Sequence, residues 1–383
     1  MAETNENEAN DIVSDELVFH DNDDNDDDDG PAYVDMSDPA LQDDIVQVDF
    51  ENEPMDDDAT IDGNYETNEP SSSNSPPVPE MSTQILRCHT GPVYTLATHR
   101  SSSDGTILIA SGGGDDKAFF TKLSPSSDPE SIEIPHVFTD TVSTVEFASD
   151  GSLLAVGCYD GTILVYKTTP TLSLVTKLDG PTDVEFVRFH PSNTVLLAGS
   201  STDGTVWMYH IDTQRVLQVF VGHESGGNNG DSCITDGGFT SDGKWVVTTG
   251  SDGTCRVWNP KKGTCRHVFR EEGGKGYFAE GSLTCLDVSG GINKEDSGAN
   301  LGLVGCEDGT AWIVHLVNKK ILSCLHHYDK SSSSSTNTDT NMEEDTAPRS
   351  IEAVGFSKSH PHWCATGGAD GLVKVWDMNG NNQ

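Results

Sequence analysis

The stretch SDGTCRVWNP, residues 251–260, sets an Asp-Gly pair, a cysteine, an arginine and a tryptophan within ten positions. Met in isolation it could be a small reactive site. Along the chain it is one copy of a pattern: YDGTILVY (159–166), TDGTVWMY (202–209), SDGTCRVW (251–258), EDGTAWIV (307–314) and ADGLVKVW (369–376), with a degenerate GDDKAFFT (114–121) before them. The turn aspartates Asp115, Asp160, Asp203, Asp252, Asp308 and Asp370 are spaced by 45, 43, 49, 56 and 62 residues, which fits a unit of about 40–45 residues with loop insertions.

Each copy has one grammar. An alternating apolar stretch (VSTVEF, VEFVRF, IEAVGF) leads through a turn to a second apolar run (LLAVG, VLLAG, WVVTTG). The Asp-Gly turn and a third run ending in an aromatic follow. Period-two alternation between tight turns means antiparallel strands. Three strands and a linking fourth make a propeller blade, so the expected fold is all-β, a six-bladed β-propeller. Ser251-Asp252-Gly253 is then a hairpin turn, Gly253 supplying a positive φ and Asp252 accepting backbone N–H groups. Ring closure requires a strand from the other terminus, and TQILRCH (83–89) is the expected supplier.

These units resemble WD repeats. Literal Trp-Asp occurs at Trp376-Asp377, the slot elsewhere reading Trp258-Asn259, Tyr209-His210 or Tyr166-Lys167. The Gly-His that opens such repeats stands at Gly222-His223 and, altered, at Cys88-His89. The resemblance implies a buried hydrogen-bonded network of His223, Asp252 and Trp258 that stiffens a blade. A protease-like His/Asp/Ser triad is the rival reading, and recurrence of the turn weighs against it. Two stretches, SGGGDDKAFFTKLS (111–124) and HPSNTVLLAGSSTDGTVWMYHI (190–211), are similar to segments of the angio-associated migratory cell protein family, over about residues 83–377. That family includes a fungal ribosome-assembly chaperone for a basic large-subunit ribosomal protein. Its ring has eight blades, so the resemblance implies two blades more than are found here.

Charge narrows the partners. The chain carries 63 acidic and 22 basic residues, a formal charge of −41, and residues 1–80 hold 27 acids without a Lys or Arg. Such a surface repels phosphate backbones and complements basic protein segments, so direct nucleic-acid binding is not expected. The start MAETNENEAN is unlike a signal peptide, and no run reaches 18 apolar residues, so neither secretion nor membrane insertion is expected. Nine cysteines without a C-x-x-C, several inside apolar runs, suit a reduced cytoplasmic or nuclear protein.

Residues 1–82 read as a disordered acidic tail and 83–383 as the propeller, with a disordered Ser/acidic loop at about 329–350. DNDDNDDDDG (21–30) fails as a calcium loop because position 12 falls on Met36. DDIVQVDF (43–50) breaks the acidity with alternating apolar residues, as a partner-bound segment or an edge-adding strand does. A partner surface is expected where the entrances to the first strands meet the Asp-Gly turns. Those slots give Asp140, Asp183, Glu185, Asp236 and Glu352, with Tyr159, Thr202 and Glu307 just before turn aspartates. Carboxylates around a tyrosine suit a basic peptide with an apolar anchor, each one alone being a solvated surface charge. Trp207, Trp245, Trp258, Trp312 and Trp376 read as packing residues. No phosphate loop or zinc spacing is present, and no catalytic, metal or cofactor site is expected. The reading is a monomeric, non-enzymatic scaffold for basic protein segments, a ribosomal protein by resemblance. A general adaptor in signalling, trafficking or cell migration is the alternative.

Overall fold

In this computed structural model the described residues are 46–48, 85–102, 104–125, 127–223, 234–270, 278–279, 281–289, 300–328, 350–358, 360 and 362–378. They form six four-stranded antiparallel sheets, and no α-helix occurs among them. The acidic run 21–30 and the loop 329–349 lie outside the described residues. In blade order the innermost strands are Val93–Arg100, Val142–Phe147, Phe186–Phe189, Ile234–Phe239, Leu283–Ser289 and Ile351–Phe356. Each sheet then steps outward strand by strand, as in blade 2, whose later strands are Leu153–Cys158, Thr162–Lys167 and Ser173–Asp179.

The hydrophobic alternation read from the sequence is the cause of this stacking. Second and third strands bury both faces between neighbouring blades, so Leu153–Cys158 is buried at all but its first residue. The fourth strands face solvent and alternate, Ser173–Asp179 exposing Leu174 and Val175 while burying Leu178. Gly253 adopts φ 71° at its turn, and Gly161, Gly204, Gly309 and Gly371 repeat this conformation. In the degenerate first copy Asp116 takes the position at φ 58°.

Five of the six innermost strands carry a register shift one residue after their start, between Val93/Thr95, Val142/Thr144, Ile234/Asp236, Leu283/Cys285 and Ile351/Ala353. The extra residue turns the strand entrance towards the mouth. The inner edge of such a strand has no sheet neighbour, so its N–H groups need other acceptors. The preceding blade supplies them. Thr95 Oγ1 accepts from Val145 N at 3.1 Å, Thr144 Oγ1 from Val187 N at 3.4 Å and Asp236 Oδ2 from Leu286 N at 3.1 Å.

The sheet order corrects one expectation. The fourth strand of blade 6 is Val46–Val48, paired with Val375–Asp377, and residues 85–89 form no strand. His89 is held by Asp115 and Ser111 at 2.9 Å each, which fixes that segment on blade 1 as its own entrance. The strand therefore comes from within the stretch expected to be a tail, at the alternating Val-Gln-Val of DDIVQVDF. Packing between innermost strands joins each consecutive pair of blades, and no comparable packing joins Ile351–Phe356 to Val93–Arg100 among the described residues.

Candidate protein-binding site

The turn aspartates hold the strand entrances. Asp160 accepts from Thr139 N at 3.0 Å and Thr162 N at 2.8 Å, tying its own turn to the approach of its first strand. Asp115 accepts from Thr90 N at 2.8 Å and meets His89 at 2.9 Å, while Asp203 accepts from Thr182 Oγ1 at 3.3 Å. Asp308 and Asp370 each accept the N–H two residues on, from Thr310 at 2.8 Å and Leu372 at 2.9 Å. Burial by itself would raise Asp115, but the His89 and Thr90 hydrogen bonds outweigh it and hold the carboxyl at about 2.

The network expected of His223, Asp252 and Trp258 is complete. His223 Nδ1 lies 3.0 Å from Asp252, its Nε2 lies 2.7 Å from Thr248 Oγ1, and Trp258 Nε1 donates to the same oxygen at 2.8 Å. In outline this is an Asp–His–hydroxyl triad, but Thr248 is fully buried and its oxygen already takes the indole proton. It cannot present a lone pair to a substrate. Blade 6 repeats the arrangement with His327, Thr366, Asp370 and Trp376, and blade 1 with His89, Ser111 and Asp115. Only the blade 4 set was named from sequence. His327 sits in LHHY, directly before the 329–349 insertion, which separates it from its turn aspartate by 43 residues, against 26 in blade 1 and 29 in blade 4.

At the mouth, the residue before a turn aspartate bonds the entrance of its own first strand: Tyr159 N to Thr141 O and Glu307 N to Ser282 O, each at 3.0 Å. Turn and entrance thus share one rim. Tyr159 is 38% exposed, its hydroxyl 3.5 Å from Glu185 Oε1. Burial first, then Glu185, Asp183 and Asp140, push this phenol up to about 12, so three carboxylates from blades 2 and 3 surround one tyrosine. Asp140 and Glu352 are exposed, on blades 2 and 6.

Two of the expected rim carboxylates are differently employed. Asp183 is buried and takes hydrogen bonds from Ser200 Oγ, Ser201 Oγ and Thr202 N, which outweigh its burial and lower its pKa. It contributes field at the mouth and no free oxygen surface. Asp236 is not a rim residue. It is buried, bonds Arg188 Nη2 at 2.6 Å, and caps Gly237 N at 2.8 Å and Leu286 N at 3.1 Å. Its position follows the register shift, and the residue after a shift points between blades instead of outward.

Around Arg188 lies a second charge cluster that sequence reading missed. Glu146, Arg188 and Asp287 each stand four residues after a buried entrance residue, Val142, Val184 or Leu283, and Gly238 and Gly355 hold the same place in blades 4 and 6. Glu146, Arg188, Asp287 and Gly238 line a cavity of about 200 Å³ with Phe189, Phe239 and Leu286. Glu146 Oε2 accepts from Phe189 N at 3.3 Å and Asp287 Oδ2 from Phe356 N at 2.7 Å, capping unpaired strand edges as Asp236 does. Burial pushes Glu146 up to about 7 against the pull of Arg188, and raises Asp287. The available signal was a charged residue at one fixed offset in otherwise apolar strands. The eight described cysteines are free, five of them buried. Among the described residues no group of His, Cys, Asp and Glu could hold a metal ion.

Family comparison agrees with this architecture. The WD domain, G-beta repeat, matches residues 80–120, 131–167 and 345–377, and the anaphase-promoting complex subunit 4 WD40 domain matches residues 187–289. Angio-associated migratory cell protein of Homo sapiens is 28% identical over 301 residues, covering 78% of this chain. The match spans 62% of that relative's length. Ribosome assembly protein SQT1 of Saccharomyces cerevisiae is 26% identical over 325 residues, covering 81% of this chain and 68% of that protein. The crystal structure of the same yeast protein superposes with a TM-score of 0.58 at 21% identity, over 76% of this chain and 74% of that one, a likeness of fold. The chain is a WD40-repeat β-propeller that resembles angio-associated migratory cell protein and yeast SQT1.

Proposed function

We propose that this protein is a non-enzymatic scaffold that captures a Lys- and Arg-rich protein segment at its mouth, and that the client is a basic ribosomal protein awaiting assembly into the large subunit. One observation carries the reading. Tyr159 stands half-exposed beside Asp140 and Glu185, so a cation over its ring meets two carboxylates within the field of buried Asp183. Glu307 and Glu352 extend the same charge round the rim. The similarity to a ribosome assembly protein supports the choice of client. With 27 acids in residues 1–80, the leader adds long-range attraction that speeds encounter.

Exposed ion pairs are each worth about 0–1 kcal/mol and are screened by salt, so capture relies on many contacts together. The test is recovery of bound proteins from extract at low salt and at about 300 mM salt. Basic ribosomal proteins should dominate and fall steeply with salt. Glu185→Gln with Asp140→Asn should lower recovery about tenfold, equivalent to ~1.4 kcal/mol. A salt-insensitive cytoskeletal or membrane-receptor partner would favour the adaptor reading, for which the similarity to a migratory cell protein speaks.

A further inference from the structure

Charge differs in sign between the two ends of blades 4 and 5. Each third strand leaves the mouth at its turn aspartate and runs to the opposite face, so the turn that follows it lies on the underside. The turn before each second strand lies there too. In blades 4 and 5 these underside segments are 240–245, 259–267 and 315–320. They carry Lys244, Lys261, Lys262, Arg266, Lys319 and Lys320, all exposed. That is six of the chain's 22 basic residues. Asp242 is the one carboxylate in the three segments, 3.8 Å from Lys244 Nζ.

The segments form one surface. His267 Nε2 donates to Val317 O at 2.8 Å, closing blade 4 on the underside turn of blade 5. Burial first, then Arg266 and Lys319, depress the His267 pKa against the pull of Val317 O, so cations of both blades lie beside one ring. On the other side, a Cβ added at Gly263 would run into Gln218, so the Lys261–Lys262 turn rests on the outer strand of blade 3. At about 3.3 Å per residue, the six residues of Thr310–His315 set mouth and underside about 20 Å apart. That is more than twice the Debye length of about 8 Å at about 0.15 M salt, so the mouth carboxylates are screened from this face.

We propose that the underside of blades 4 and 5 binds the phosphate backbone of RNA. Lysine and arginine side chains on turns reach phosphate oxygens without a pocket, and each contact releases counterions. An acidic protein fits this face less well, because protein interfaces centre on accessible apolar and aromatic side chains and are poor in lysine. Here Trp245, Pro260, Leu316 and Val317 are buried or half-buried, and the Arg266 guanidinium lies over the Trp245 ring at 4.7 Å. The chain-wide excess of acid disfavours nucleic acid in general, and this face is the local exception. RNA is named over DNA because the reading above makes the client a ribosomal protein, whereas the contact itself does not depend on that reading. Client and RNA then occupy opposite faces, and one molecule holds both.

The test is fluorescence anisotropy of an RNA hairpin of about 20 base pairs with the full chain, at about 50 and 200 mM salt. Binding should saturate at the lower salt and weaken about tenfold or more at the higher. Lys262→Glu with Lys320→Glu should lower affinity about tenfold or more. Lys117→Glu with Lys177→Glu makes the same change in net charge towards the mouth ends of blades 1 and 2, and should cost less than about threefold. All four lysines are exposed, and unchanged melting temperatures confirm folding. Equal losses from the two pairs would show that RNA senses net charge alone and overturn the proposal, as would a lack of saturable binding at low salt. Displacement by poly-glutamate as effective as by unlabelled RNA would assign the face to an acidic protein and overturn it too. The assay holds no client, so its outcome is separate from capture at the mouth.

Discussion

Arg188 Nη2 of blade 3 lies 2.6 Å from Asp236 Oδ1 of blade 4, and the same carboxylate reaches on to Leu286 N of blade 5 at 3.1 Å. Three blades are thus joined through one side chain. The arginine is held charged by Asp236 first, then Glu146 and Asp287, which overcome the cost of its burial.

Removing the cation strands these carboxylates in a poorly hydrated channel. Arg188→Met should destabilise the fold by about 2–4 kcal/mol. Adding Asp236→Asn to it should recover part of the loss, because the charge is gone and the amide oxygen still caps one of the two backbone donors, Gly237 N or Leu286 N. Thermal melting of the two variants decides this, and a double variant weaker than the single would refute the pairing.

Glu146 gives the channel a pH dependence of definite sign. The unfolded carboxyl releases its proton near 4.5 and the folded one near 7, so the folded state holds more protons between them. Stability from this group falls as pH rises from about 4.5 to about 7 and stays reduced above, by on the order of 3 kcal/mol at most. Glu146→Gln should flatten that fall and raise the melting temperature at pH 8 more than at pH 5.

Thr248 serves two buried donors and acceptors at once, His223 and Trp258. Thr248→Val should cost about 2–4 kcal/mol, counting both lost partners. Ser111→Ala in blade 1 should cost about half as much, since Thr121 occupies the tryptophan slot there and only His89 loses its bond. Equal losses would show that the indole bond contributes nothing.

Val46–Val48 completes blade 6 by antiparallel pairing with Val375–Asp377. Gln47→Pro deletes one ladder donor and disfavours the strand, so protection of Val375–Asp377 amides from hydrogen exchange should drop while blade 2 amides stay protected. Unchanged exchange would place this pairing outside the stable fold.

The repeat, its turns and the blade 4 network were legible because hairpin chemistry is local: an Asp-Gly between alternating runs fixes a turn whatever lies around it. Gly253 and Trp258 needed no distant partner to be assigned. Asp236 was misplaced because a one-residue bulge decides whether a side chain looks outward or between blades, and a bulge leaves no mark in composition. Asp183 is drawn inward by Ser200, Ser201 and Thr202 of its own blade's turn, a pairing that composition does not announce. Glu146, Arg188 and Asp287 come from three separate blades, so only closure of the stack makes them neighbours.

From its sequence alone the chain is bound to form six antiparallel blades with an acidic exterior, since period-two burial and turn residues act over a few positions. The assembled sheets alone decide which strand finishes blade 6 and which carboxylates stay free for a partner. Those outcomes depend on long-range packing between blades, where strand bulges and buried hydrogen-bond partners set what fits.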